Sequence, residues 1–418
     1  MRTSGVFLLA AVAALALVAS TGADTTGTTL RGFTFTSDVS PYLNISRDIC
    51  DIKTALNNKN PDYTFAKGVY MDGFNAKMAS KDGGFISMRR MVTDSKVGEP
   101  FWTMYQKHFN NPVWMDDLLV RAFSGIPPYD NDIARVQLIV KTLESSMQSA
   151  YMMHELDAAI ERTKAGKKGS GPDGALYSLD KAWAIFVGEQ SDCGLWTVSM
   201  KRANEYGTKK DCDTSMVAFN ILTAMKAAQT AVKAGDVKAL TAARNKVQSQ
   251  LAAMFIQATI KYANEMYLDK LSMDKLSLSN RSAAEHQVEA FAFYRSIAPL
   301  VHAANETAGQ ALDFWLFPGQ PVVDNVDLKA ARAFNAAYKG LGVTPKDIGE
   351  FGKKQPALNC KAYVPTPPAD GILSSSDAKT ELRPGTAAPK AAAPKPKAAP
   401  KPPAAPKPAG RKRFFFFF

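Results

Sequence analysis

Residues 283–299, AAEHQVEAFAFYRSIAP, place His286 and Glu289 three positions apart with Glu285 beside them. Side chains three or four apart share one face of a helix. An imidazole and two carboxylates could therefore converge on one point. Carboxylate oxygens with an imidazole nitrogen suit iron, manganese or zinc, according to geometry. Four histidines occur in 418 residues, so one set among carboxylates stands out. The competing reading is a solvated ion pair on an exposed helix, worth about 0.3 kcal/mol.

Three further groups have metal-binding chemistry. His154, with Glu155, Asp157 and Glu161, opens like the H-E-x-x-H of zinc proteases, but position 158 is alanine, which rejects that motif. His154 is left as a supplementary ligand or as part of a polar stripe. Asp180 and Glu189 are nine residues apart and cannot share a face unless Gly188 breaks the helix between them. Tyr294 and Arg295 lie two turns beyond His286: a phenolate is a good ferric ligand and a guanidinium holds an anion, yet both types also serve a core. His108 and His302 read as ordinary histidines. No G-x-S-x-G, Walker A or post-strand G-x-G-x-x-G sequence occurs, so no familiar enzyme motif is present and a non-enzymatic role is expected.

Helices must position these residues. Residues 132–165 carry an apolar stripe of Ile133, Val136, Ile139, Val140 and Leu143, stopped by Gly166. Asp213 or Thr214 caps a helix running to Ala234, Gly235 stops it, and Asp236 starts another that extends to Leu268. Residues 282–305 form a helix interrupted or kinked at Pro299. Residues 327–338 form a shorter one. Residues 51–78 and 217–247 both read as helical hairpins with a Pro-Asp or Gly-Asp break. No region shows strand alternation. The expected fold is an all-α antiparallel multi-helix bundle over residues 30–365.

The flanks are different material. Arg2, the apolar run 6–18 and the small residues to Ala23 read as a secretory signal peptide, residues 1–23. Asn44, Asn280 and Asn305 head N-glycosylation sequons. Cys50, Cys193, Cys212 and Cys360 form no C-x-x-C and favour disulfides in a secreted chain, expected as Cys193–Cys212 and Cys50–Cys360. Residues 366–418 form a disordered tail, with 384–413 almost wholly Pro, Ala and Lys and 414–418 all phenylalanine. Lys390, Lys395, Lys397, Lys401, Lys407, Arg411, Lys412 and Arg413 supply most of the formal +12; without them +4 remains. An anionic wall polysaccharide or membrane surface suits this tail, and nucleic acid does not suit a secreted chain.

Three segments together resemble the algal low-iron-inducible periplasmic proteins, also called iron-assimilating proteins. They are residues 52–75 (I-x-x-A-L, D-Y-x-x-A-K-x-V-Y, G-x-N), residues 178–208 (SLDKAWAIFVGEQSDCGLWTVSMKRANEYGT) and residues 255–299 (Q-A-T-I-K-Y-A leading into E-H-Q-V-E-A-F). The resemblance implies a secreted or periplasmic protein that assists iron assimilation when iron is scarce. It directs metal binding, with iron as the bound ion, to His286 and Glu289. Glu285, Glu189, Asp180 and His154 are added as further candidate ligands. Two alternatives stand beside it: a wall or matrix protein anchored by its tail, and a metal-dependent redox enzyme.

Overall fold

The computed structural model describes residues 24–78, 83–94, 96, 98–190, 192–276 and 281–353. The leader 1–23, the tail 366–418, Cys360 and the Asn280 sequon lie outside the described residues.

The fold is all-α. Helices α1 (Ser40–Leu43), α2 (Ile45–Leu56) and α3 (Tyr63–Asp72) are followed by α4 (Met88–Thr93), α5 (Pro100–Phe109) and α6 (Trp114–Phe123). Helix α7 (Asp132–Lys141) passes through a π-helical segment, Thr142–Met147, into α8 (Gln148–Lys164). Next come α9 (Ala175–Val187), α10 (Leu195–Tyr206), α11 (Met216–Ala234), α12 (Val237–Leu276) and α13 (Arg281–Arg295). The series closes with α14 (Ala298–Ala304), α15 (Glu306–Leu316), α16 (Val326–Leu341) and α17 (Pro345–Ile348).

Local chemistry sets these limits. Asn131 accepts hydrogen bonds from the Ile133 and Ala134 amides at the start of α7, and Ser215 accepts from Ala218 at the start of α11. That cap falls just after the Asp213 or Thr214 expected from sequence. Gly235 ends α11 at φ +76°, a left-handed turn that a Cβ would strain, and the chain reverses into α12. Helix α12 runs on to Leu276, eight residues past the expected end. Its 40 residues make it about 60 Å long. The helix expected over 282–305 is divided: α13 stops at Arg295, and Pro299 sits in the first turn of α14, where its missing N–H costs no helical bond.

One strand pair corrects the expectation of no sheet. β1 (Thr29–Leu30) and β2 (Phe33–Thr34) are antiparallel, with Leu30 opposite Phe33. Two-residue strands are too short to show an alternation. The hairpin is held from outside: Trp183 donates its indole N–H to the Leu30 carbonyl at 3.1 Å.

Both disulfides expected from sequence are also corrected. Cys50 on α2 bonds Cys193, just before α10, with Cα atoms 5.4 Å apart across 143 residues of sequence. Cys193–Cys212 and Cys50–Cys360 are therefore excluded, and no described cysteine is free. Nearness in sequence favoured the local loop, but packing of the hairpin α2–α3 against the bundle decided the partner.

Helix α12 forms the spine, packed against α11, α13 and α16, while α13 also lies along α7. Large side chains such as Trp102, Trp183, Tyr105, Phe255 and Tyr294 fill the core.

Candidate metal centre

Two helices supply the central cluster. On α12, Lys261, Glu265 and Asp269 succeed one another at four-residue steps and so form one stripe. On α13, His286 and Glu289 are three apart. Packing of α12 against α13 turns the two stripes towards each other. One ligand atom each from Glu265, His286 and Glu289 lies within 4.8 Å of the other two. Among the described residues this is the group of histidine, cysteine and carboxylate side chains able to surround a cation.

The imidazole is oriented from behind. His286 Nδ1 lies 2.7 Å from Asp269 Oδ2, the distance of a charge-assisted hydrogen bond. Donation from Nδ1 leaves the Nε2 lone pair directed at Glu265 Oε2, 3.5 Å away. Lone pair and carboxylate repel unless a proton or a cation lies between them. A carboxylate behind a ligating histidine is the usual way of fixing the tautomer of a metal site.

Two lysines balance the carboxylates. Lys141, the last residue of α7, lies 3.1 Å from Glu289 Oε1, and Lys261 lies 2.5 Å from Glu265 Oε2. Burial pushes the Glu289 carboxyl above its ordinary range, and Lys141 opposes that rise. Burial alone would lower the Lys141 ammonium, but Tyr262 and Glu289 hold it above its ordinary value. The Tyr262 ring lies beside the cluster, 6.1 Å from the His286 ring and 3.7 Å from Lys261 Nζ. The π-helical segment begins at Thr142, directly after Lys141, and such segments recur near functional sites.

The cluster offers one nitrogen and two carboxylate donors, with two negative charges. That donor set suits a divalent or trivalent transition ion and leaves further coordination positions for water or an anion.

The structure brings His286 and Glu289 together and disperses the other candidates. Glu285 accepts a hydrogen bond from Gln137 Nε2 at 2.7 Å and turns to α7. Asp180 is buried and accepts from the Thr36 amide and hydroxyl at 2.8 and 2.7 Å, so it fixes the segment after β2. Gly188 does break the helix, at φ +62°, but Glu189 beyond it is clasped by the Arg47 guanidinium. His154 bonds Glu99 at 2.7 Å on another side of the bundle. Tyr294 donates to the Gly309 carbonyl at 3.0 Å, and the buried Arg295 guanidinium stacks 3.8 Å from the Phe109 ring centre. His302 lies between Asp313 at 2.8 Å and Glu306 at 3.1 Å. Of the sequons, Asn44 is half-buried between α1 and α2, and Asn305 caps α15 by accepting from the Ala308 amide.

Sequence reading missed Glu265 and Asp269. Their signal was two acids four apart on a long mixed helix, an ordinary pattern until α13 folds against it.

A sequence model of low iron-inducible periplasmic proteins matches residues 6–285. Glu265 lies inside that match, and His286 and Glu289 lie just beyond its end. Comparison with curated proteins and with solved structures gives no match. The match spans well over half of the chain, which thus belongs to the low iron-inducible periplasmic protein family, a family of periplasmic proteins tied to iron assimilation.

Proposed function

We propose that this protein binds iron in the periplasm or at the cell surface and holds it for uptake, with Glu265, His286 and Glu289 as ligands. The supporting observation is the aim of His286: Asp269 holds Nδ1 while Nε2 faces a second carboxylate. Lys141 and Lys261 then serve as counter-charges that leave the carboxylates when the ion enters. The basic residues between 390 and 413 supply the attraction to an anionic wall or membrane surface.

Equilibrium dialysis with ferrous ion under anaerobic conditions tests the site. The triple variant Glu265→Gln, His286→Ala, Glu289→Gln loses one bound equivalent relative to the unaltered protein. An unchanged stoichiometry rejects this site. Removal of residues 384–418 leaves that stoichiometry intact and releases the protein from the wall.

A further inference from the structure

A cavity of 240 Å³ lies away from the metal centre, bordered by α1, α4, α8 and the segments on either side of α4. Its walls divide by chemistry. Met78, Phe85, Ile86 and Met91 give it an apolar side. Met78 and Phe85 are 37% and 40% exposed, so the space reaches solvent. The rest of the wall is aromatic and cationic. Tyr42 stacks on Tyr151 with ring centroids 6.2 Å apart, and Tyr151 lies 5.3 Å from the His154 ring. Arg90 and Lys96 supply positive charge.

Lys96 is the unusual member. It is only 6% exposed, yet among the described residues its ammonium has no ion-pair partner. Its Nζ donates to the Asp94 main-chain carbonyl at 2.9 Å and sits 4.7 Å from the centre of the Trp102 ring. An ammonium has three N–H groups, so one remains for the cavity that Lys96 lines. Burial pushes this ammonium below its ordinary value, and buried charges are normally paired. Arg90 reaches the Asp94 carboxylate only at 3.8 Å, and both of those side chains are largely exposed, so that pair is weak. The deeper acids are already engaged: Glu155 lies 2.5 Å from Lys181 Nζ, and Glu99 lies 2.7 Å from His154 Nδ1. Arg90 and Lys96 thus bring more positive charge to the cavity than Asp94 offsets.

We infer that this cavity binds a small organic carboxylate, its acid group held by Lys96 and Arg90 and its apolar body laid against Phe85 and Met91. The carboxylate gives the Lys96 ammonium the counter-charge that the fold does not supply. Charge-assisted hydrogen bonds are the stronger kind, and a site shielded from water strengthens them further. A bare inorganic oxyanion would gain nothing from the apolar side, and an uncharged molecule of the same shape would leave the ammonium unpaired. The site shares no residue with Glu265, His286 and Glu289, so neither depends on the other.

Calorimetric titration of the whole protein tests this, with benzoate and hexanoate as carboxylates, benzamide as the neutral control and inorganic phosphate as the bare oxyanion. At least one carboxylate should bind at one equivalent, and more tightly than benzamide and phosphate by about 10-fold or more, the size of one charge-assisted hydrogen bond. Lys96→Met should remove the preference for carboxylate over benzamide, and the Glu265→Gln, His286→Ala, Glu289→Gln variant should keep it. Failure of both carboxylates to bind, or binding no tighter than that of benzamide, overturns the inference, and neither result needs a variant to fold. Phosphate binding as tightly as the carboxylates overturns the assignment to an organic acid. A preference that survives Lys96→Met overturns it too.

Discussion

His286 on α13 and Asp269 on α12 meet at 2.7 Å, and this contact decides which nitrogen of the imidazole faces Glu265. The acid binds through the histidine and need not touch the ion. Asp269→Asn should keep the fold and weaken iron binding by about 10-fold to 100-fold, as loss of an outer carboxylate typically does. Calorimetric titration of the two proteins under one buffer condition measures the difference. Equal affinities would remove Asp269 from the site.

Glu289 is buried and Lys141 half-buried, with side chains 6% and 16% exposed. Replacing Lys141 by Met leaves a buried carboxylate without its partner, at a cost of about 3–5 kcal/mol. Denaturant unfolding should show that loss, and adding Glu289→Gln should recover part of it. Added ferrous ion should stabilise Lys141→Met more than the unaltered protein, because no ammonium has to leave Glu289.

Asp180 gives a stability signal with a definite sign. Burial outweighs its hydrogen bonds from Thr36 and Ser37 and raises its carboxyl above the ordinary 3.8. The folded protein then holds this proton more tightly than the unfolded chain does. Asp180 therefore costs stability at neutral pH, and the cost is relieved as pH falls through its folded-state value, fully so below 3.8. Asp180→Asn lacks this dependence. The unfolding free energy of the unaltered protein minus that of the variant should rise on acidification from neutrality.

The Cys50–Cys193 bond closes a loop of 143 residues. Its removal by a Cys50→Ala, Cys193→Ala substitution should cost about 2–5 kcal/mol, most of it through a freer unfolded chain. Peptide mapping under non-reducing conditions should recover Cys50 and Cys193 in one linked fragment. A Cys193–Cys212 fragment would contradict the packing of α2 against the start of α10.

The helical class was legible because its causes are local. The stripe from Ile133 to Leu143, the stop at Gly235 and the break at Pro299 each act within a turn or two of chain, and the structure keeps all three. The pairing of His286 with Glu289 was legible for the same reason, since a spacing of three on one helix fixes a common face. The remaining partners depend on contacts between helices. Glu265 and Asp269 precede His286 by 21 and 17 residues, and no periodicity within either helix selects them. Asp180 and Glu189 carried the right chemistry but were claimed by Thr36 and Arg47, more than 140 positions earlier. Cys50 found Cys193 for a like reason. Sequence determined which faces were apolar and which carried donors. Tertiary packing decided which donors meet, because a side chain can satisfy its charge with any partner that the fold brings within reach.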